Sequence, residues 1–292
     1  MAQHVFAHLL RGDRRQKPQQ YPPAPGVDGQ PDQDMPVRWF EGGFGLLYDR
    51  MLVTRVQHGP IPTHVAIIMD GNRRFALAGG MPQPDGHRRG KEKVREVLRW
   101  CRGLGITYLT VYALSTENLA SRSPQELATL FDLYESGFLE LAGDKEIHQD
   151  QVRCQAVGQL HLLPSRVVQA VAMAEQATKD YTTLVFTVCL AYGARQELVD
   201  AIKGILIDHD SGKLSLEDIG EELVSQYLYT SGMPDPDLVI RTSGEERVSN
   251  FLLWQLAYAE ICFIDVYWPA FRKRDFLRAI RTYQGRQRRH GT

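Results

Sequence analysis

The sequence predicts a single α/β domain with a mostly parallel central sheet flanked by helices. Two observations carry that prediction. From His64 onward, short apolar runs alternate with longer helical patterns. The runs are apolar throughout rather than at every second residue, as strands are when both faces of a parallel sheet are covered.

Residues 1–36 are rich in Pro, Gln, Asp and Gly. Such a stretch buries too little apolar surface to offset its ordering entropy, so a disordered arm is expected. In residues 37–60, Trp39, Phe40, Phe44, Leu47, Tyr48, Met51 and Leu52 fall near helical spacing. An amphipathic helix there would cover the body of the protein or rest on a lipid surface. Its few charges favour core cover.

Residues 61–292 then form the main domain. Strands are expected at Val65–Met69, Thr107–Leu114, Gln151–Val157, Leu184–Ala191, Leu238–Ile240 and Ile261–Val266. Helices are expected near 88–103, 123–142, 164–179, 194–209, 215–227 and 272–285.

A chain of 292 residues with 43% hydrophobic content suffices for one sizeable core and is short for two domains. Its formal net charge of -1 gives no global pull toward nucleic acid. Cys101, Cys154, Cys189 and Cys262 lie far apart among apolar neighbours, and read as buried free thiols of a reducing compartment. Arg11, Asp13, Arg14 and Arg15 interrupt the short apolar start, which is no signal-peptide pattern, and no run is apolar enough to span a membrane. A cytoplasmic location is expected.

Three polar clusters fall at strand ends, where open parallel sheets gather ligands. The first is Asp70-Gly71-Asn72-Arg73-Arg74. Gly71 permits a tight turn, the arginines can grip phosphate oxygens, and Asp70 is a hard oxygen ligand suited to magnesium. An ordinary Asp-Gly turn with solvated arginines explains the loop equally well. The second is Ser115-Thr116-Glu117-Asn118, which can place a polar substrate group or relay a proton. Alone, it reads better as a helix N-cap. The third spans residues 241–250, where Arg241, Arg247, Ser243 and Ser249 could cradle an oxyanion or simply form an exposed charged loop. Glu260 follows as a possible second magnesium ligand. The chain has no GxxxxGK[ST] loop, GxGxxG fingerprint, DDxxD run or HExxH pair.

Together, "HVAIIMDGNRRFA", Gly86-His87, "YALSTEN", "LHLLP", "DLVIRTSGEERVSNFLLWQLAYAEI" and "WPAF" resemble the cis-prenyltransferases, the family of undecaprenyl and dehydrodolichyl diphosphate synthases. The resemblance runs from about Pro62 to Gly291. It implies a butterfly-like α/β fold, magnesium, and addition of isopentenyl diphosphate to an allylic diphosphate such as farnesyl or geranylgeranyl diphosphate. The product would be a cis-polyprenyl diphosphate of the kind that serves as a glycosyl carrier lipid.

By the same resemblance, Asp70 is the catalytic, magnesium-associated aspartate. Gly71, Asn72, Arg73, Arg74 and His87 match the allylic diphosphate site, and Phe75 the tunnel mouth. Ser115, Thr116, Glu117 and Asn118 match the segment between the two sites, Asn118 being a candidate in proton removal. Arg241, Arg247 and Ser249 match the isopentenyl diphosphate site, and Glu260 the second metal ligand. Arg289-His290-Gly291 looks like the family's RxG motif, with Arg289 and Gly291 reaching a partner's phosphates, so a homodimer is expected. Peripheral membrane contact is compatible with this reading; nucleic acid is not expected.

The pattern departs at Gln83, where the family has an arginine, and at Ser121, where bacterial members have one, with Arg122 a step later. Leu119 replaces a common aromatic. Two alternatives therefore stay open: irregular coupling of two allylic diphosphates, and a non-catalytic subunit of a heteromeric synthase.

Overall fold

A computed structural model describes residues 51–286. The expected arm, most of the 37–60 helix, Arg289 and Gly291 lie outside the described residues. Of the first helix, α1, residues 51–57 are described, and Leu52 and Val56 are buried in the main core.

Six strands follow: β1 (His64–Ile68), β2 (Tyr108–Tyr112), β3 (Val152–Val157), β4 (Leu184–Cys189), β5 (Leu238–Thr242) and β6 (Glu260–Ile264). They form one sheet in the order β3-β4-β2-β1-β5-β6, and every pairing is parallel. β1 and β5 are buried at every residue, which accounts for their unbroken apolar runs.

The helices are α2 (Asn72–Ala78), α3 (Gln83–Leu104), α4 (Thr116–Ser121), α5 (Pro124–Gly143), α6 (Lys145–Gln149), α7 (Ser165–Thr178), α8 (Ala194–Asp210), α9 (Glu221–Tyr227) and α10 (Lys273–Gly285). Two hydrophobic clusters include residues of β1: Val65 and Ile67 lie in one, Ala66 and Ile68 in the other. The period-two alternation of a strand thus feeds both cores. Cys101, Cys154 and Cys189 are buried, Cys262 is partly so, and all four are free thiols.

From β1 the chain moves toward β2 on one side, then returns to place β5 on the other side of β1. Strand order reverses there, so the helix connections diverge and leave a crevice beyond the carboxyl ends of the strands. Asp70 leaves β1 at that crevice, and Arg241 lies beside it in β5, in register with Ile68.

Candidate active site

At this crevice lies a cavity of about 730 Å³. Leu98 of α3, Leu130, Leu133 and Phe138 of α5, and Phe186 and Val188 of β4 give it an apolar wall, and the ion-paired Lys91, Arg95 and Glu140 of α3 and α5 line it too. Its mouth is charged and polar. Asp70, Asn72, Arg73, Arg74, His87, Ser115, Glu117, Asn118, Arg241, Arg247 and Ser249 all line it, so the three distant clusters converge on one space.

Asp70 sits at the centre of that mouth. Its Oδ1 accepts from Arg74 at 3.1 Å and its Oδ2 from Arg241 at 2.8 Å. Burial pushes the Asp70 carboxyl up, but the hydrogen bonds and charges of Arg241 and Arg74 outweigh it and hold the group below its ordinary value. Asp70 is therefore an anion at neutral pH. The turn before α2 needs Gly71, whose φ is 99°. A Cβ there would meet Tyr267 Cδ1 at 2.8 Å.

Arg241 is buried, and its guanidinium is tied down on two sides. Beyond Asp70 it donates to Ser249 Oγ at 2.7 Å and to the Arg247 carbonyl. The loop that supplies these acceptors is strained: Ser243, Ser249, Asn250 and Leu252 all have positive φ. Asn250 holds it in place. Its Nδ2 donates to Glu117 Oε1 at 2.8 Å, and its Oδ1 accepts the Arg195 N–H at 2.9 Å. Burial pushes Glu117 up, but its backbone and Asn250 hydrogen bonds bring it below its ordinary value.

Ser115 is indeed an N-cap, accepting the Asn118 N–H at 3.0 Å, and both residues line the cavity. Capping and lining are thus compatible. Thr116 is not a lining residue; its N–H donates to the Tyr192 carbonyl at 3.0 Å. Phe75 does not line the cavity either: its ring packs against the Arg89 guanidinium, 5.7 Å from its centroid.

Glu260 stands apart from Asp70 within the chain. β6 begins at Glu260, which pairs with Leu238, which pairs with Val65. That is the amino end of the sheet, roughly 16 Å along the strands from Asp70. There Glu260 accepts from Arg286 at 2.6 Å. Within one chain it cannot share an ion with Asp70. No cluster of three His, Cys, Asp or Glu suited to a metal occurs among the described residues. Asp70 nonetheless fits magnesium, which needs only one or two carboxylates when substrate phosphates and water complete its shell.

The two departures from the family pattern resolve differently. Gln83 is exposed at the start of α3 and does not line the cavity. Ser121 is also exposed, but Arg122 lines the cavity. The positive charge is therefore present, shifted by one residue.

A prenyltransferase family model described as "Putative undecaprenyl diphosphate synthase" matches residues 68–291. The chain belongs to the cis-prenyltransferase family. It is 54% identical over 257 residues to a protein of Pyrococcus horikoshii, covering 88% of this chain and 97% of that one. It is 53% identical over 245 residues to one of Methanopyrus kandleri, covering 84% and 90%. Both are named tritrans,polycis-undecaprenyl-diphosphate synthase (geranylgeranyl-diphosphate specific). Among solved structures, the lavandulyl diphosphate synthase of Lavandula x intermedia, in complex with dimethylallyl diphosphate, matches with a TM-score of 0.73 and 35% identity. That match covers 78% of this chain and 97% of the synthase.

As a cis-prenyltransferase, the chain is an enzyme that transfers prenyl groups. Asn250 and Arg122 line the mouth, and Glu126 lies just behind it against Arg122. Asn250 stands inside a quoted motif, and only its left-handed backbone and its partners reveal its task. Arg122 was displaced from the expected position, and Glu126 reads as one more helix-terminal acid.

Proposed function

We propose that this chain elongates geranylgeranyl diphosphate by successive cis addition of isopentenyl diphosphate units. The observation that carries the reading is the cavity: cations gather on two sides of Asp70 at its mouth, and apolar side chains of α3, α5 and β4 line the space behind it. Such a space suits two diphosphates outside and a hydrocarbon chain within. The archaeal relatives, at 53–54% identity, are named as geranylgeranyl-specific, which supports that primer over a shorter one and elongation over irregular coupling.

Arg73, Arg74 and His87, with Asn72, hold the allylic diphosphate. Arg241, Arg247 and Ser249 hold isopentenyl diphosphate and aim its double bond at the allylic carbon. The allylic C–O bond breaks, and its electron pair leaves with diphosphate. The isopentenyl double bond forms the new C–C bond. A proton is then lost beside the resulting cation to an oxygen of the departing diphosphate or another base near Asn118, leaving the new double bond. Magnesium, held by Asp70 and diphosphate oxygens, would neutralise the leaving group.

A second copy of the chain is the proposed partner. Val199, Ile202 and Leu206 form an exposed apolar stripe on α8, and Phe263 is exposed on the edge strand β6. Light scattering at micromolar protein would return the monomer mass if this is wrong. No helix among the described residues is long and apolar enough to cross a membrane. Membrane contact is therefore proposed as peripheral, through the hydrophobic product.

The deciding assay supplies labelled isopentenyl diphosphate, magnesium and geranylgeranyl, farnesyl or dimethylallyl diphosphate. A ladder of products rising in five-carbon steps from geranylgeranyl diphosphate is expected. Absence of incorporation with every primer would sink the enzyme reading for the lone chain. Branched products from dimethylallyl diphosphate alone would favour irregular coupling.

A further inference from the structure

A carboxylate stands among the cations that face the proposed allylic diphosphate. Glu126 lies in the first turn of α5, where Ser123 caps the helix and accepts the Glu126 N–H at 3.2 Å. Its side chain is 10% exposed. Three cationic or titratable groups from three separate elements surround it. Arg122, from the link between α4 and α5, lies at 3.2 Å, His87 of α3 at 3.6 Å, and Arg73 of α2 at 3.8 Å. All three of those residues line the cavity; Glu126 does not.

This acid is not a surface ornament. An unpaired buried carboxylate is costly, whereas one that gathers several cations offsets its own desolvation. Glu126 Oε1 and His87 Nε2 are both buried without a hydrogen bond, so the cluster is not a closed network. Its positive members exceed its one negative charge. An incomplete, net cationic cluster at a cavity wall is poised for one more anion.

We infer that Glu126 is a positioning residue for the allylic diphosphate: it draws Arg73, Arg122 and His87 into one wall of the cavity, so that the diphosphate meets a preassembled set of donors. The inference rests on the proposed reading of this mouth as the allylic site. It has α2, α3 and the α4–α5 link converge through one side chain. Arg73 and Arg122 would otherwise repel one another. The close packing of α2 on α3 serves the same end: Cβ atoms at Gly86 and Gly90 would each lie 2.3 Å from an oxygen of Asn72.

Simple Coulomb reasoning and positioning predict opposite signs, which makes the inference testable. Neutralising an acid beside an anion site should tighten diphosphate binding if the acid only repels. It should weaken binding if the acid assembles the donors. The experiment is calorimetric binding of geranylgeranyl diphosphate, without isopentenyl diphosphate, to wild-type, Glu126→Gln and Glu126→Asp full-length chains. Isopentenyl diphosphate is titrated separately.

Glu126→Gln is expected to weaken geranylgeranyl diphosphate binding about tenfold, the loss of about one charge-assisted contact. Isopentenyl diphosphate binding is expected to stay within about twofold, and Glu126→Asp to fall between wild type and Gln. Equal or tighter binding of geranylgeranyl diphosphate by Glu126→Gln overturns the inference, as does an equal loss for both ligands. If Glu126→Gln does not fold, Glu126→Asp decides: weaker binding of the allylic ligand alone supports the inference, and unchanged binding overturns it. Binding of neither diphosphate by the wild type would remove the site reading itself and the inference with it. Wild-type binding with an unaffected Glu126→Gln would remove only the inference.

Discussion

The two ends of β1 both bury polar groups, yet they treat them in opposite ways. At the amino end, His64 is fully engaged: Nδ1 contacts the Pro234 carbonyl at 2.7 Å and Nε2 contacts Thr110 Oγ1 at 2.8 Å. Asp237 accepts the backbone N–H groups of Thr63 and His64 there, and Glu260 pairs with Arg286. At the carboxyl end, Asn72 Oδ1, His87 Nε2, Glu126 Oε1, Arg241 Nε and Ser243 Oγ are buried without hydrogen bonds. Backbone strain gathers beside them, at Ser243, Ser249 and Asn250. One end uses polarity to fix the chain; the other leaves polarity unspent for a ligand.

The largest expected effect tests the carboxyl end. Asp70→Asn keeps the side-chain shape and removes the charge, so incorporation of labelled isopentenyl diphosphate should fall about 10²–10³-fold. The thermal midpoint should also fall, because the buried Arg241 loses its charge partner. A variant that loses stability but keeps turnover within a few-fold would erase the contrast between the ends.

Next comes the amino end. Burial lowers the His64 pKa to about 4, outweighing the Pro234 hydrogen bond and the Asp237 charge, which raise it. The unfolded chain takes up this proton near 6.5, whereas the folded chain takes it up only near 4. Between those values the unfolded state binds more protons, so stability falls as pH drops through that window, by up to about 3 kcal/mol. Denaturant unfolding from pH 7 to 4 measures it. His64→Asn should lower stability at pH 7 and flatten this part of the pH dependence, without a selective change in the KM of either substrate.

A smaller effect divides the two halves of the mouth. Asn250→Ala removes the hydrogen bonds to Glu117 and Arg195 from a residue with a φ of 61°. Stability should drop by about 2 kcal/mol. The KM for isopentenyl diphosphate should rise about tenfold, while that for the allylic substrate stays within a few-fold. Equal changes in both would show that the halves are one unit.

The smallest effect is expected at Gln83. Since its side chain is exposed and off the cavity wall, Gln83→Arg should leave the allylic KM within about twofold. A large improvement would mean that the mouth closes over α3 when substrate is present.

Much of this fold was legible in the residues themselves. Val65–Met69 and Leu184–Ala191 announced buried parallel strands, because a strand covered on both faces has no polar side to betray its period. Their ends carried the polar clusters, since a ligand site must break the apolar run. β6 was less legible. None of its residues is fully buried, so the expected start at Ile261 missed Glu260 by one position. Ser121 and Arg122 failed for a related reason: a count along the chain cannot say which of two neighbours turns inward where a short helix ends.

By itself, then, the amino-acid order determined the α/β class, the order of its elements and the chemistry at the strand ends, because each depends on local periodicity and residue type. Tertiary structure decided the rest. It placed Glu260 at the opposite end of the sheet from Asp70 within the chain, because parallel register ties a residue's height to its partners. It also brought Arg73, His87 and Arg122 to within 4 Å of the Glu126 carboxylate. Arg122 and Glu126 stand four residues apart, but Arg73 and His87 join them only where helices pack, which no spacing along the chain foretells.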